Sequence, residues 1–171
     1  MITPQYVRAL SAYNAEMNRR VYGAAGRLTD EARRQDRGAF FGSIHGTLNH
    51  LLWADQNWMS RFAGWPKPHK PGSESSTLID DFGEMQALRL AIDSAIVTWA
   101  GDVTEEWLAG DLTWFSGIAL REMTAPRVVT LIHMFNHQTH HRGQTHAMLT
   151  AAGEDTGDTC IAFILPASAW A

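Results

Sequence analysis

The stretch Asn136-His137-Gln138-Thr139-His140-His141-Arg142-Gly143-Gln144 decides how the rest of the chain is read. It sits in a run from Pro126 to Ala152 with no internal proline and few helix breakers, so the spacing predicts one long helix. Residues four apart on a helix stack on one face, with Cβ atoms about 6 Å apart. His137 and His141 can therefore aim their imidazoles at one point, and the same wheel adds Thr130, Met134, Gln144 and Met148 to the stripe. That stripe is too apolar for a solvated face and too polar for plain core. It reads as a site.

Outward from that helix, the pattern is helical almost throughout. Thr3-Pro4 reads as an N-cap followed by proline at the first helical position, where its missing N–H costs nothing. Val7, Leu10, Tyr13, Met17 and Val21 then recur at helical steps, which predicts a first helix ending near Gly23. Residues 26–41 are charged and only sparsely apolar, a connector with room for one helical turn. Ser43 caps a second helix to about Phe62, with Ile44, Leu48, Leu51, Leu52, Trp58, Met59 and Phe62 as its apolar stripe. Asp55 falls in the middle of that stripe, where a carboxylate is costly unless paired. The segment 64–76, with Pro66, Pro68 and Pro71, is a surface loop.

Thr77-Leu78-Ile79-Asp80 resembles a capping box and predicts a third helix from there to about Trp99. Arg89 interrupts its apolar stripe. Residues 112–123 hold two runs of β-formers and aromatics around Ser116-Gly117, which predicts a small hairpin or extended excursion. Thr124-Ala125-Pro126 restarts the helical pattern, and Gly153 suits the residue just past the last helix. The tail 158–171, with Ile161-Ala162-Phe163-Ile164-Leu165, should pack on the bundle or on a partner subunit. The expected fold class is all-α: a four-helix bundle over a single domain, residues 1–171, with the hairpin before the last helix.

Composition bounds the function. The chain has 171 residues, 45% hydrophobic and 19% charged, with net charge −4, which supports a sizeable core. No basic block occurs, so nucleic acid is not an expected partner. Cys160 is the only cysteine, so no disulfide can form within the chain and a reducing compartment is the natural reading. There is no basic lead followed by an apolar segment at the N-terminus, and no apolar run nears the ~20 residues of a membrane-spanning helix. A cytoplasmic protein that does not enter membranes is the expectation.

A His-x-x-x-His pair alone fits either a metal site or ordinary core and surface histidines, the more so as His133, His137 and His141 form a ladder of two such pairs. Two imidazoles hold a divalent ion poorly, so a third ligand must come from another helix. His50, set in the apolar second helix, is the first candidate, although it suits a hydrogen-bonded core histidine equally. His45 lies farther round the same helix, His69 among prolines in the loop, and His140 and His146 project away from the stripe. Asp55, Asn49 and Gln144 either orient ligands around the site or are structural. Arg142 lies about 100° beyond His141 and reaches a carboxylate or solvent. Gly143, costing about 1 kcal/mol relative to alanine inside a helix, predicts a close helix–helix approach. Tryptophans 53, 58, 65, 99, 107, 114 and 170 belong mostly to the core, with one or two available to line a pocket.

Taken together, Ser43-Ile44-His45-Gly46-Thr47-Leu48-Asn49-His50-Leu51-Leu52-Trp53-Ala54-Asp55, His137-x-x-x-His141-Arg142-Gly143-Gln144 and an early Tyr13-Asn14 resemble the DinB/YfiT-like superfamily over the whole chain. The resemblance implies a four-helix bundle, a homodimer, and a divalent metal ion held by His50, His137 and His141. Zinc or nickel is the first expectation, iron or manganese the next. It also implies a reaction on a small-molecule substrate, first among them the transfer of a low-molecular-weight thiol to an electrophile. A metal hydrolase, or a non-catalytic bundle braced by its metal, are the other readings. Three protein ligands leave positions open, and an open position is how a catalytic ion acts on what binds next.

Overall fold

The computed structural model describes residues 2–117 and 119–169. Four long helices make the frame: α1 (Pro4–Arg27), α3 (Ile44–Phe62), α4 (Phe82–Asp102) and α6 (Arg127–Ala151). Short helices α2 (Asp30–Arg34), α5 (Glu105–Ala109) and α7 (Ile161–Ile164) join or extend them. Strands β1 (Asp111–Ser116) and β2 (Arg121–Pro126) form an antiparallel hairpin immediately before α6. Helix α1 packs on α4 and α6, and α3 packs on the same two, which closes a ring of four around one core. Val7, Val21, Leu48, Leu51, Met85, Leu131 and Leu149 meet there, fully buried or nearly so. The mainly helical architecture with its hairpin is the one expected. Among the described residues, no helix is long and apolar enough to cross a membrane.

Local chemistry sets the ends of these helices. Thr3 Oγ1 accepts the Tyr6 N–H and Ser43 Oγ accepts the Gly46 N–H, so both expected caps operate. Helix α1 continues past Gly23 to Arg27, because Ala24 and Ala25 are completely buried and their packing outweighs the glycine. Helix α4 does not start at Thr77. That residue ends a 3₁₀ turn (Gly72–Thr77), and the working cap is Asp81, whose Oδ1 accepts the Glu84 N–H at 2.8 Å. Asn49 explains the delay: its Oδ1 accepts the Ile79 N–H at 2.7 Å and its Nδ2 donates to the Ile79 carbonyl at 3.0 Å. Both backbone groups of Ile79 are thereby committed outside a helix. Helix α4 then runs to Asp102, beyond Trp99.

At the far end, β2 persists through Pro126, paired with Asp111, so the α6 helix opens only at Arg127. Gly153 adopts φ 85°, the left-handed conformation expected just past a helix end. Tyr13 Oη donates to the Thr159 carbonyl and Arg20 Nη1 to that of Asp158, which lays the tail along α1 while Phe163 stays exposed. Tryptophans 53, 58, 65, 99, 107 and 114 pack around the core, each partly buried, and Trp170 lies outside the described residues. The expected close approach at Gly143 does not occur: nothing lies within 4 Å of where a Cβ would stand.

Candidate metal centre

Helices α3 and α6 run side by side, and their facing stripes bring His50, His137 and His141 together. One ring nitrogen from each can be chosen so that all three lie within 4.8 Å of one another. His50 Nε2 stands 3.1 Å from His137 Nε2, and the His141 ring centroid lies 4.7 Å from that of His50 and 4.4 Å from that of His137. Nitrogens bound tetrahedrally to one ion at about 2.05 Å stand about 3.3 Å apart. The His50–His137 separation is already of that size, so a trio of neutral imidazoles here can hold a metal ion.

Protonation favours that use. Burial, then the neighbouring rings of His137 and His141, push the His50 pKa down to about 3. Burial and the other histidines take His137 down to about 4, and burial lowers His141 as well. The imidazoles are neutral at physiological pH, the form that binds metal.

Their tautomers are set from outside. His50 Nδ1 meets Ser75 Oγ at 2.9 Å, and His141 Nδ1 donates to Gln144 Oε1 at 2.8 Å, with the amide nitrogen of Gln144 3.4 Å from His140 Nε2. A histidine held through Nδ1 presents Nε2 to an ion, the usual arrangement around metal-binding imidazoles. Gln144 therefore orients a candidate ligand. Ser75, almost fully buried in the 3₁₀ turn, is a partner that sequence periodicity could not reveal.

Phe41 is the other missed residue. Its ring stacks on His50 at 3.9 Å between centroids and lies 5.3 Å from His141, closing one side of the cluster. A turn bridging Ala39 and Gly42 delivers it, and Gly42 takes φ 73°. Gly46 is required beneath: a Cβ there would run into the Phe41 carbonyl oxygen, a backbone atom with no easy retreat. The only advance signal was two glycines around the Ser43 cap.

Below the histidines lies a buried ionic layer. Arg89 donates to Asp55 Oδ2 at 2.8 Å and to Asp93 Oδ1 at 2.7 Å, and Asn18 Nδ2 donates to the same Asp93 oxygen at 3.0 Å. Gln138, next to His137, donates to Asp55 Oδ1 and to the Leu51 carbonyl. Arg142 is buried, not solvated, and donates to Asn14 Oδ1 at 2.6 Å and to Gln138 Oε1 at 3.4 Å. Burial pulls its pKa down to about 10 and pushes Asp93 up to about 6. Two carboxylates against two guanidiniums leave this layer neutral, and its hydrogen bonds lock the histidine-bearing turn of α6 onto α3. Asp55 and Asn49 are thus structural here, the first through Arg89 and the second through Ile79.

Of the remaining histidines, His133 and His140 flank the trio, with rings 5.7 Å from His137 and 4.8 Å from His141, while His45, His69 and His146 stand apart from it. His133 lies against Trp58, its ring 5.2 Å away, and His45 is buried elsewhere on α3. His146 bonds to Thr156, and His69 is exposed in its loop.

No curated protein and no solved structure gives a significant match to this sequence. The profile of the DinB family matches residues 1–163, nearly the whole chain, and the chain belongs to that family.

Proposed function

We propose that the protein is a metal-dependent S-transferase that moves a low-molecular-weight thiol onto an electrophilic small molecule. The observation that carries this reading is the convergence of three neutral imidazoles from two helices, with two of them held through Nδ1. His50, His137 and His141 would hold the ion. A divalent ion bound by three neutral ligands keeps its charge for whatever enters next and lowers the pKa of a thiol, so that thiolate forms near neutral pH. Ser75 and Gln144 keep the rings aimed, which spares reorganisation when reactants arrive. Phe41 keeps water off one face of His50. Gln138, bonded to Asp55 and to the Leu51 carbonyl, ties α6 to α3, and Arg89 holds Asp55 in place for it.

The test is spectroscopic first and catalytic second. Cobalt(II)-loaded protein is titrated with a simple thiol, and the thiolate-to-cobalt absorption band is followed. Turnover of the same thiol with an activated aryl chloride is then compared for wild type and His141→Ala. A band with turnover, both lost in the variant, supports transfer. Ester hydrolysis without thiol dependence would replace it with the hydrolase reading.

A further inference from the structure

We propose that Arg61 is a carboxylate-binding residue for the small molecule that reaches the metal centre, so that the reactant is an anionic one. This rests on the transferase reading for what the carboxylate-bearing molecule does, but not for whether Arg61 binds it.

Arg61 stands eleven residues after His50 on α3. At 100° per residue that is about 20° from the His50 direction, so both project from one face of the helix. His133 stands one turn before His137 on α6, its ring 5.7 Å from that of His137, and lies against Trp58. The ladder of histidines thus continues from the metal centre towards Arg61. The Arg61 guanidinium lies over the Trp58 ring at 4.5 Å and near that of Trp114, on β1, at 5.5 Å. Trp58 is about 12 Å along α3 from His50, which sets the length of molecule that could span both.

The cation is half-buried, and burial lowers its pKa with no opposing charge acting on it. Among the described residues no carboxylate forms an ion pair with it and no acceptor takes its N–H groups. The contrast lies in the same bundle: Arg89 and Arg142, the deeply buried arginines, have polar partners on neighbouring helices. Stacking on an indole uses a face of the guanidinium and leaves its edge, the part that binds a carboxylate through two parallel hydrogen bonds. One cation, with no second one beside it on these rings, matches a single negative charge.

The experiment uses two thiols of equal length, 6-mercaptohexanoate and the uncharged 6-mercaptohexanol, against cobalt(II)-loaded wild type and Arg61→Met. Thiolate-to-cobalt absorption and tryptophan fluorescence are both read. A third arm titrates metal-free protein with hexanoate, which needs no metal. Wild type should bind the mercaptohexanoate at least tenfold tighter than the alcohol, and R61M should bind both like the alcohol. Hexanoate should change the fluorescence of wild type and not of R61M. Equal affinity of wild type for the two thiols, or a preference that survives R61M, overturns the proposal. Absence of any absorption band with either thiol overturns the transferase reading alone, and the hexanoate arm still decides Arg61. If circular dichroism shows that R61M does not fold, Arg61→Lys decides instead: it keeps the charge but not the fork, and its preference must fall below that of wild type.

Discussion

His50 and His137 face each other across the α3–α6 interface with their Nε2 atoms 3.1 Å apart, and no carboxylate stands between them. Both rings are half-buried. With His50 held through Nδ1, its Nε2 lone pair is turned on His137, and an ion shared with His141 would take a lone pair from each ring. The predictions below follow from what keeps these rings neutral and aimed.

The first concerns protons. An imidazole of pKa 6.5 is about tenfold less available at pH 5.5 than at high pH, so three of them would cost about a thousandfold in metal affinity. With His50 near 3 and His137 near 4, both are neutral at pH 5.5, and His141, lowered by burial, costs less than the roughly tenfold of a free imidazole. Proton competition over this range therefore comes from one ring, not three. Affinity corrected for chelator protonation should therefore drop by less than about tenfold between pH 7.5 and 5.5. A thousandfold drop would mean that the rings titrate like free histidines.

Ser75→Ala removes the partner of His50 Nδ1 and little else. Loss of such an outer contact lowers metal affinity by about 10–100-fold in known centres. Chelator competition should show a loss of that size, with helical content unchanged.

Asp55→Ala strips one partner from a fully buried Arg89 and one from Gln138. Breaking a buried pair from one side costs about 3–5 kcal/mol. Urea unfolding of the metal-free protein should register a loss in that range. A change below about 1 kcal/mol, the scale of an exposed pair, would show that the layer is solvated.

Gly143→Ala should stabilise the protein by about 0.5–1 kcal/mol, since α6 is regular there and the added methyl meets nothing. Thermal unfolding checks it. Destabilisation would place another chain against this face of α6.

The parts of this molecule legible in sequence were those that periodicity and local hydrogen bonding determine. Helix α3 from the Ser43 cap to Phe62 is one, and the shared face of His137 and His141 is another. Asp55 and Arg89 each stood out as a charge inside an apolar stripe, although only packing reveals that they answer each other. The start of α4 was misplaced because Thr77–Asp80 and Asp81–Glu84 offer consecutive caps, and the choice is made by Asn49 from another helix. Phe41 and Ser75 reach the site from irregular segments, where no period predicts direction. Gly143 misled because a helical glycine need not be filled by a neighbour.

The central claim is that His50, His137 and His141 bind one divalent ion. Elemental analysis of untagged protein purified without added metal, wild type beside His141→Ala, tests it most directly. The account predicts close to one ion per chain in the wild type and little in the variant, with both folded by circular dichroism. No ion in the wild type, even after reloading with zinc, nickel and manganese, would contradict it.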